Sequence, residues 1–321
     1  MPTSRNPRRG TMQFWPRKRA ARQIARVRFW AQSNEAKPLG FPGYKVGMTH
    51  VLLTDNRANS LTKGDDICWP VTIIECPPVK IVSLVFYKKN VYGLHAVSQI
   101  FADKLDKNLS RKLIIPKNAK KKISDIKIDD FDDVRLLICT QPNLTCIHKK
   151  KPEIFEMEIG GSKADKFKFA QEKLGKEVPV REILKDGMLV DAHGITQGKG
   201  FQGPVKRFGV AIGSHKAQKT RRGPASLGPW NGNRSWTVAH AGQMGYQQRV
   251  EYNKWVLMIG DDPSKINNSS GFRAYGVVKN PFLLIKGSVL GPEKRLITFT
   301  HASRPDHTVP KEAPVITYIK Q

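Results

Sequence analysis

The residue types able to do chemistry are present in this chain, but their spacings fail the usual tests. His193, His215 and His240 fall within 192–250, a stretch with no Asp or Glu. A catalytic His needs a carboxylate or carbonyl to hold its tautomer, and a strongly positive field favours its neutral form. "GITQGKGFQG" has the glycines and the lysine of a phosphate loop. Only three residues separate Gly194 from the Gly198-Lys199 pair, and Gly200 stands where a magnesium-binding Ser or Thr is needed. "GPASLG" puts two residues between Gly223 and Ser226, so it is no nucleophile elbow. The cysteines, Cys68, Cys76, Cys139 and Cys146, are too widely spaced for a zinc ribbon or knuckle. They read as reduced, mostly buried thiols. No pair of acids is placed for general acid–base work. The expectation is a protein without catalytic residues, metal or cofactor.

What remains is charge. The formal net charge is +28 over 321 residues, and self-repulsion of that size needs a polyanionic partner to justify it. Residues 1–34 hold nine Lys and Arg and no acid, and residues 192–250 hold nine more, again with no acid. Segment 103–182 is mixed, with 19 basic and 14 acidic residues. A solvated face normally mixes both signs, so the two acid-free stretches read as polyanion-binding. The N-terminus has charge but no apolar h-region, which argues against a secretory signal. No run approaches the roughly 20 apolar residues of a membrane span.

These stretches must be positioned by something that folds. Hydrophobic residues make up 39% of the chain, enough for a sizeable core. "YKVGMTHVLLT", "WPVTIIEC", "KIVSLVFYK", "VRLLICT", "GMLVDAHGIT", "EYNKWVLMIG", "AYGVVK", "FLLIKGSVLG" and "KRLITFT" are short β-rich runs bounded by turn residues. Many short strands predict a sandwich or a small barrel, and a closed barrel leaves fewest unprotected edges. The organisation expected is a basic arm (1–42), a first barrel part (43–102), a mixed α/β insertion (103–182), a barrel strand (183–195), a Gly/Arg-rich central extension (196–250) and the remainder of the barrel with a tail (251–321). A short helix could form around Lys18–Arg28, but no apolar stripe would pack it. A second is expected in "KADKFKFAQEKLG", where Ala164, Phe167, Gln171 and Leu174 recur at helical spacing before Gly175.

The extension carries eleven glycines from Gly194 to Gly245 and the aromatics Phe201, Phe208, Trp230, Trp236 and Tyr246. Glycine permits close backbone approach, cations neutralise phosphates, and exposed aromatics stack on unpaired bases at about 1–3 kcal/mol each. Folded RNA offers such bases and crevices better than duplex DNA does. The candidate RNA-binding residues are Arg5, Arg8, Arg9, Arg17, Lys18 and Arg19 in the arm. In the extension they are Lys199, Lys206, Arg207, His215, Lys216, Lys219, Arg221, Arg222, Trp230, Arg234, Gln243 and Arg249. Trp230, in "LGPWNGNRSW", has no core-forming sequence beside it. It is either buried in a partner or folded back on the protein. For Trp236 the fold-back reading is preferred.

"FPGYKVGMTHV", "GITQGKGFQGPVKRFG", "LGPWNGNRSW", "HAGQMGYQQR" and "LLIKGSVLGPEKRLI", in that order, resemble the signature blocks of the universal large-subunit ribosomal protein family number three. The arm "PRRGTMQFWPRKRA" and the insertion at 103–182 are similar to archaeal and eukaryotic members. The short C-terminus favours the archaeal form.

The resemblance implies a six-stranded barrel of the translation-protein type, with two extensions that reach large-subunit ribosomal RNA. It implies that Trp230 stands at the tip of the central extension, toward the peptidyl transferase centre. The family helps early subunit assembly, is not the catalyst, and neighbours ribosomal proteins of families fourteen and twenty-four. The location implied is the cytoplasmic large subunit, with no membrane and no DNA partner. The methylated His of some eukaryotic members is not carried over, because Arg221 stands in its place. The alternatives from other classes are an RNA-modifying enzyme and a transient ribosome-binding factor on a β-barrel scaffold.

Overall fold

The computed structural model describes residues 8, 10–115, 123, 126, 128–216, 219–224, 226–229, 232, 233 and 237–321. The chain divides into two compact units, 23–194 with 249–321, and 1–22 with 195–248. It is mainly β. In chain order the strands are β1 (Gly40–Thr54), β2 (Asp66–Glu75), β3 (Val79–Asn90), β4 (Gly93–Phe101), β5 (Asp133–Cys139), β6 (Ile154–Glu158), β7 (Glu177–Val178) and β8 (Leu189–Ile195). They continue as β9 (Phe201–Gln202), β10 (Gly242–Gln243), β11 (Gln248–Gly260), β12 (Phe282–Lys286), β13 (Leu296–His301) and β14 (Ile316–Ile319). The α-helices among the described residues are α1 (Lys163–Lys173), α2 (Val180–Ile183) and α3 (Pro204–Phe208).

The larger unit contains two sheets. In the first the order is β13-β8-β11-β12-β2-β1-β14, and β13 also pairs with β1. Six strands therefore form a closed cycle of neighbours. β1 makes this possible by its length. Its start, Gly40 to Tyr44, pairs with β13, and Val51 to Leu53 pair with β14, while β2 lies along it from Tyr44 to Thr54. Close approach demands glycine at two points: a Cβ on Gly43 would lie 2.3 Å from Ile74 Cγ2, and one on Gly260 would lie 2.2 Å from the Phe282 ring.

Apolar runs such as "FLLI" are buried on both faces, and the two-residue period sorts them. Phe282 and Leu284 join a cluster with Tyr44, Val46, Val71, Ile73, Trp255, Leu257 and Leu296. Leu283 and Ile285 point the other way, into a cluster with Phe41, Ile74, Val256, Ile297 and Phe299. That second cluster also contains Leu84, Phe86, Val134, Leu136 and Ile138 of the second sheet. The order there is β4-β3-β5-β6, with β7 on β3. The sequence boundary at 102 thus separates β3 from β5 and β7, the strands of 103–182 with which it pairs.

Several local expectations change. α1 buries Phe167 and Ala170, with Leu174 packed against the same core, while Ala164 and Gln171 face solvent. Ser162 caps its start, and Gly175, with φ of 78°, ends it. No helix forms at Lys18–Arg28, where no apolar stripe exists to pack one. "AYGVVK" is a turn rather than a strand, with Ala274 and Gly276 at positive φ. Its polar groups serve a buried carboxylate: Glu75 accepts hydrogen bonds from Tyr275 Oη, Lys279 N (2.9 Å), Asn280 N (3.0 Å) and Asn280 Nδ2 (2.7 Å). Cys76 and Cys139 are buried as expected, but Cys68 is exposed.

The residues assigned to the arm divide as well. Residues 23–42 belong to the larger unit, where Gly161 N donates to Ser33 O and Leu39 N donates to Glu158 O.

Candidate nucleic-acid interface

The smaller unit is built with little apolar burial. Among its described residues, Ile195 and Ala239 are the buried hydrophobics of the core inventory. Its frame is a backbone ladder that joins the two ends of the central stretch. Thr196 N donates to Gln247 O (3.0 Å), Lys199 N to Met244 O (2.9 Å) and Met244 N to Gly200 O (2.9 Å), and β9 pairs with β10 beyond them. Gly245 is at φ of 69°, and a Cβ there would lie 1.9 Å from Gln197 O, so only glycine closes this ladder.

Arginine does the work that packing does elsewhere. α3 begins at Pro204 and ends at Gly209, which is left-handed, with φ 64° and ψ 35°. From its last turn Arg207 donates through Nε to Gln243 O (3.1 Å) and through Nη1 to His240 O (2.9 Å). The guanidinium packs directly over Gly242, where a Cβ would lie 2.9 Å from Arg207 Nη1. The arm is tied in the same way. Arg8 donates to Gly10 O (2.8 Å) and Thr237 O (2.7 Å), and Ala20 N donates to Tyr246 O (2.7 Å). Arg17 donates to Thr11 O (2.9 Å) and stacks on Phe208, 4.5 Å from the ring centroid, while Arg207 lies 4.9 Å from the same ring. A guanidinium fork suits this role, because it can reach two carbonyls in one plane. Nothing in the sequence marks which arginines bind their own backbone.

The candidate residues therefore separate. Arg8, Arg17 and Arg207 have guanidinium N–H groups on this unit's own carbonyls, and the Gln243 amide donates to Met244 O and Gly245 O. Lys18, Arg19, Lys199, Lys206, His215, Lys216, Lys219, Arg221 and Arg222 are exposed, with Arg221 Nε also 3.5 Å from Gly213 O. The segments 1–22 and 195–248 contain no Asp or Glu to neutralise them. Arg249 is half-buried in the larger unit, and burial lowers its pKa. Arg5, Arg9, Trp230, Arg234 and Trp236 lie outside the described residues. Exposed apolar side chains, Phe201, Ile212 and Leu227, accompany the cations. Phe201 was visible in the sequence as an aromatic, but Ile212 and Leu227 carried no signal there.

The histidines are not grouped. His215 and His240 are exposed in the smaller unit. His193 was read as part of the basic stretch, but it lies on β8, buried, with Nε2 3.2 Å from Thr300 Oγ1. Burial lowers its pKa, opposed by Asp191. Among the described residues no group of three or more His, Cys, Asp or Glu is placed to hold a metal ion. No helix among them is long and apolar enough to cross a membrane.

The family model for ribosomal protein L3 matches residues 1–320. The large ribosomal subunit protein uL3 of Methanobrevibacter smithii is 46% identical, over 98% of this chain and 96% of that protein. The proteins of the same name from Methanocaldococcus jannaschii and Archaeoglobus fulgidus are each 42% identical, over 98% and 93% of this chain and 96% and 92% of theirs.

Proposed function

The chain belongs to the ribosomal protein L3 family, and on that premise we propose that it is a structural constituent of the large ribosomal subunit that binds large-subunit ribosomal RNA and is not an enzyme. The observation that carries the reading is the smaller unit. It has no Asp or Glu of its own, Arg8, Arg17 and Arg207 hold its shape, and its other cations among the described residues are exposed. The uncompensated positive charge of such a unit is relieved by binding a polyanion, and counterion release from RNA supplies the driving force. The segments 1–22 and 195–248 act as two basic extensions into the RNA. Trp230 stands at the tip of the second, buried among bases toward the peptidyl transferase centre. Arg5 and Arg9 in the first extension and Arg234 in the second serve as phosphate contacts in this reading.

The larger unit is the scaffold. The closed cycle of β13, β8, β11, β12, β2 and β1 supports a six-stranded barrel of the translation-protein type. Its position in the cytoplasmic large subunit would bring it beside ribosomal proteins of families fourteen and twenty-four and into early assembly. The test is sedimentation of native subunits through a high-salt sucrose gradient. Retention at one copy per large subunit is expected. A chain stripped to the top of the gradient would be a peripheral factor, and the reading would fall.

A further inference from the structure

The hairpin of β3 and β4 has a feature that neither basic stretch explains. From Lys88 to Val97, every residue except Gly93 is exposed, although the strands remain paired as Lys88↔His95, Lys89↔Leu94 and Asn90↔Gly93. The tip is apolar and open: Val91 is 98% exposed, Tyr92 98%, Leu94 46% and Val97 51%. Two strands with both faces in water are marginal by themselves. β4 is also a sheet edge with no Lys, Pro, Asp or Glu in it, the devices that usually protect an edge from unwanted pairing.

The tip is nevertheless well formed. Asn90 Oδ1 accepts a hydrogen bond from Tyr92 N (2.9 Å), and Gly93 turns the chain at φ of 117°. At the base, Asp132 Oδ2 accepts from Lys89 N (2.7 Å), and Tyr87 donates to Glu156. Both carboxylates are engaged below the tip. Residues 76–102 contain three lysines and no acid, a third acid-free stretch. The tip therefore presents Lys88 and Lys89 beside a fully exposed tyrosine.

We propose that residues 88–97 are a further RNA-binding finger, in which Tyr92 stacks on an unpaired base and Lys88 and Lys89 contact flanking phosphates. The inference rests on the reading that this chain sits on ribosomal RNA, and it adds a contact made by the larger unit. Charge complementarity favours RNA over a protein neighbour, since residues 88–97 carry two lysines and no Asp or Glu, and the carboxylate of Asp132 is engaged by the Lys89 N–H at the base. An exposed aromatic beside cations is the arrangement that holds a splayed base.

The experiment uses the full chain assembled into large subunits. Tyr92→diazirinyl-phenylalanine is irradiated in the intact subunit, with Phe201→diazirinyl-phenylalanine, in the smaller unit, as reference. A cross-link from position 92 to ribosomal RNA is expected. A cross-link to a protein, or none while position 201 reaches RNA, overturns the finger alone. Absence of RNA cross-links at both positions overturns the parent reading with it. In parallel, Lys88→Gln with Lys89→Gln is titrated against deproteinised large-subunit RNA. The slope of log affinity against log salt should become shallower by roughly 1.4–1.8, two phosphate contacts' worth. An unchanged slope removes the lysines from the interface.

Discussion

The two units solve the same problem, holding a backbone in place, with different chemistry. In the larger unit, several cations are paired with carboxylates: Lys80 with Asp106 and Glu177, Lys166 with Asp133, Arg181 with Asp261. Its shape comes from two apolar clusters on opposite faces of the same strands. In the smaller unit, Arg8, Arg17 and Arg207 turn to backbone carbonyls. Apolar burial scales with stability at about 25 cal/mol per Å², so the first unit is held chiefly by its core and the second by its backbone ladder and guanidinium hydrogen bonds.

The sharpest way to break this comparison is one kind of substitution in both parts. Phe282→Ala, in the fully buried core beside Gly260, should destabilise the free protein by about 3–5 kcal/mol. Trp230→Ala should leave thermal unfolding of the free protein unchanged and lower the activity of assembled subunits. Equal losses of melting temperature would show that Trp230 belongs to this chain's own core.

Next in size is Gly245→Ala. The left-handed backbone and the contact with Gln197 O should together cost about 2 kcal/mol or more. The loss should be confined to the smaller unit. Limited proteolysis would then cut within 195–248 while the larger unit stays protected, and global unfolding would contradict the division.

Arg207→Lys keeps the charge and loses the fork that serves Gln243 O and His240 O. It should cost about 1–2 kcal/mol of local stability. Hydrogen exchange at the β9–β10 ladder is the readout. Arg222→Lys, at an exposed position, should leave exchange there unaltered. Similar exchange in the two variants would mean that Arg207 is only another surface charge.

The smallest effect is one of pH. Burial depresses the pKa of His193 and His301, both in the larger unit. The unfolded chain therefore takes up protons first, and stability held at neutral pH is lost as pH falls below about 6.5. The melting temperature should drop between pH 7 and 5, and less so in His193→Gln. A rise over that range would mean that the folded state welcomes the protons.

Much of the scaffold was legible because the residues of strands are. β1, β2, β8, β11, β12 and β13 all coincide with β-rich runs between turn residues, and the two-residue period is local. α1 was legible by its helical spacing and the glycine that ends it, although its buried face was misread, with Ala164 and Gln171 in place of Ala170. The acid-free stretches were legible in full, since charge needs no fold to be counted.

What the sequence by itself determined is chemical: a polycation with a β core, no placed catalytic group, and blocks of residues that mark its family. Only the tertiary structure decided which groups are used internally. Glu75 became a buried acceptor because a turn 200 residues away brings Tyr275 to it. Arg207 became a staple and Lys206, its neighbour, stayed in solvent, because helix α3 turns one toward β10 and the other away. Pairing across such distances depends on closure of the whole chain, and no local pattern of residues encodes it.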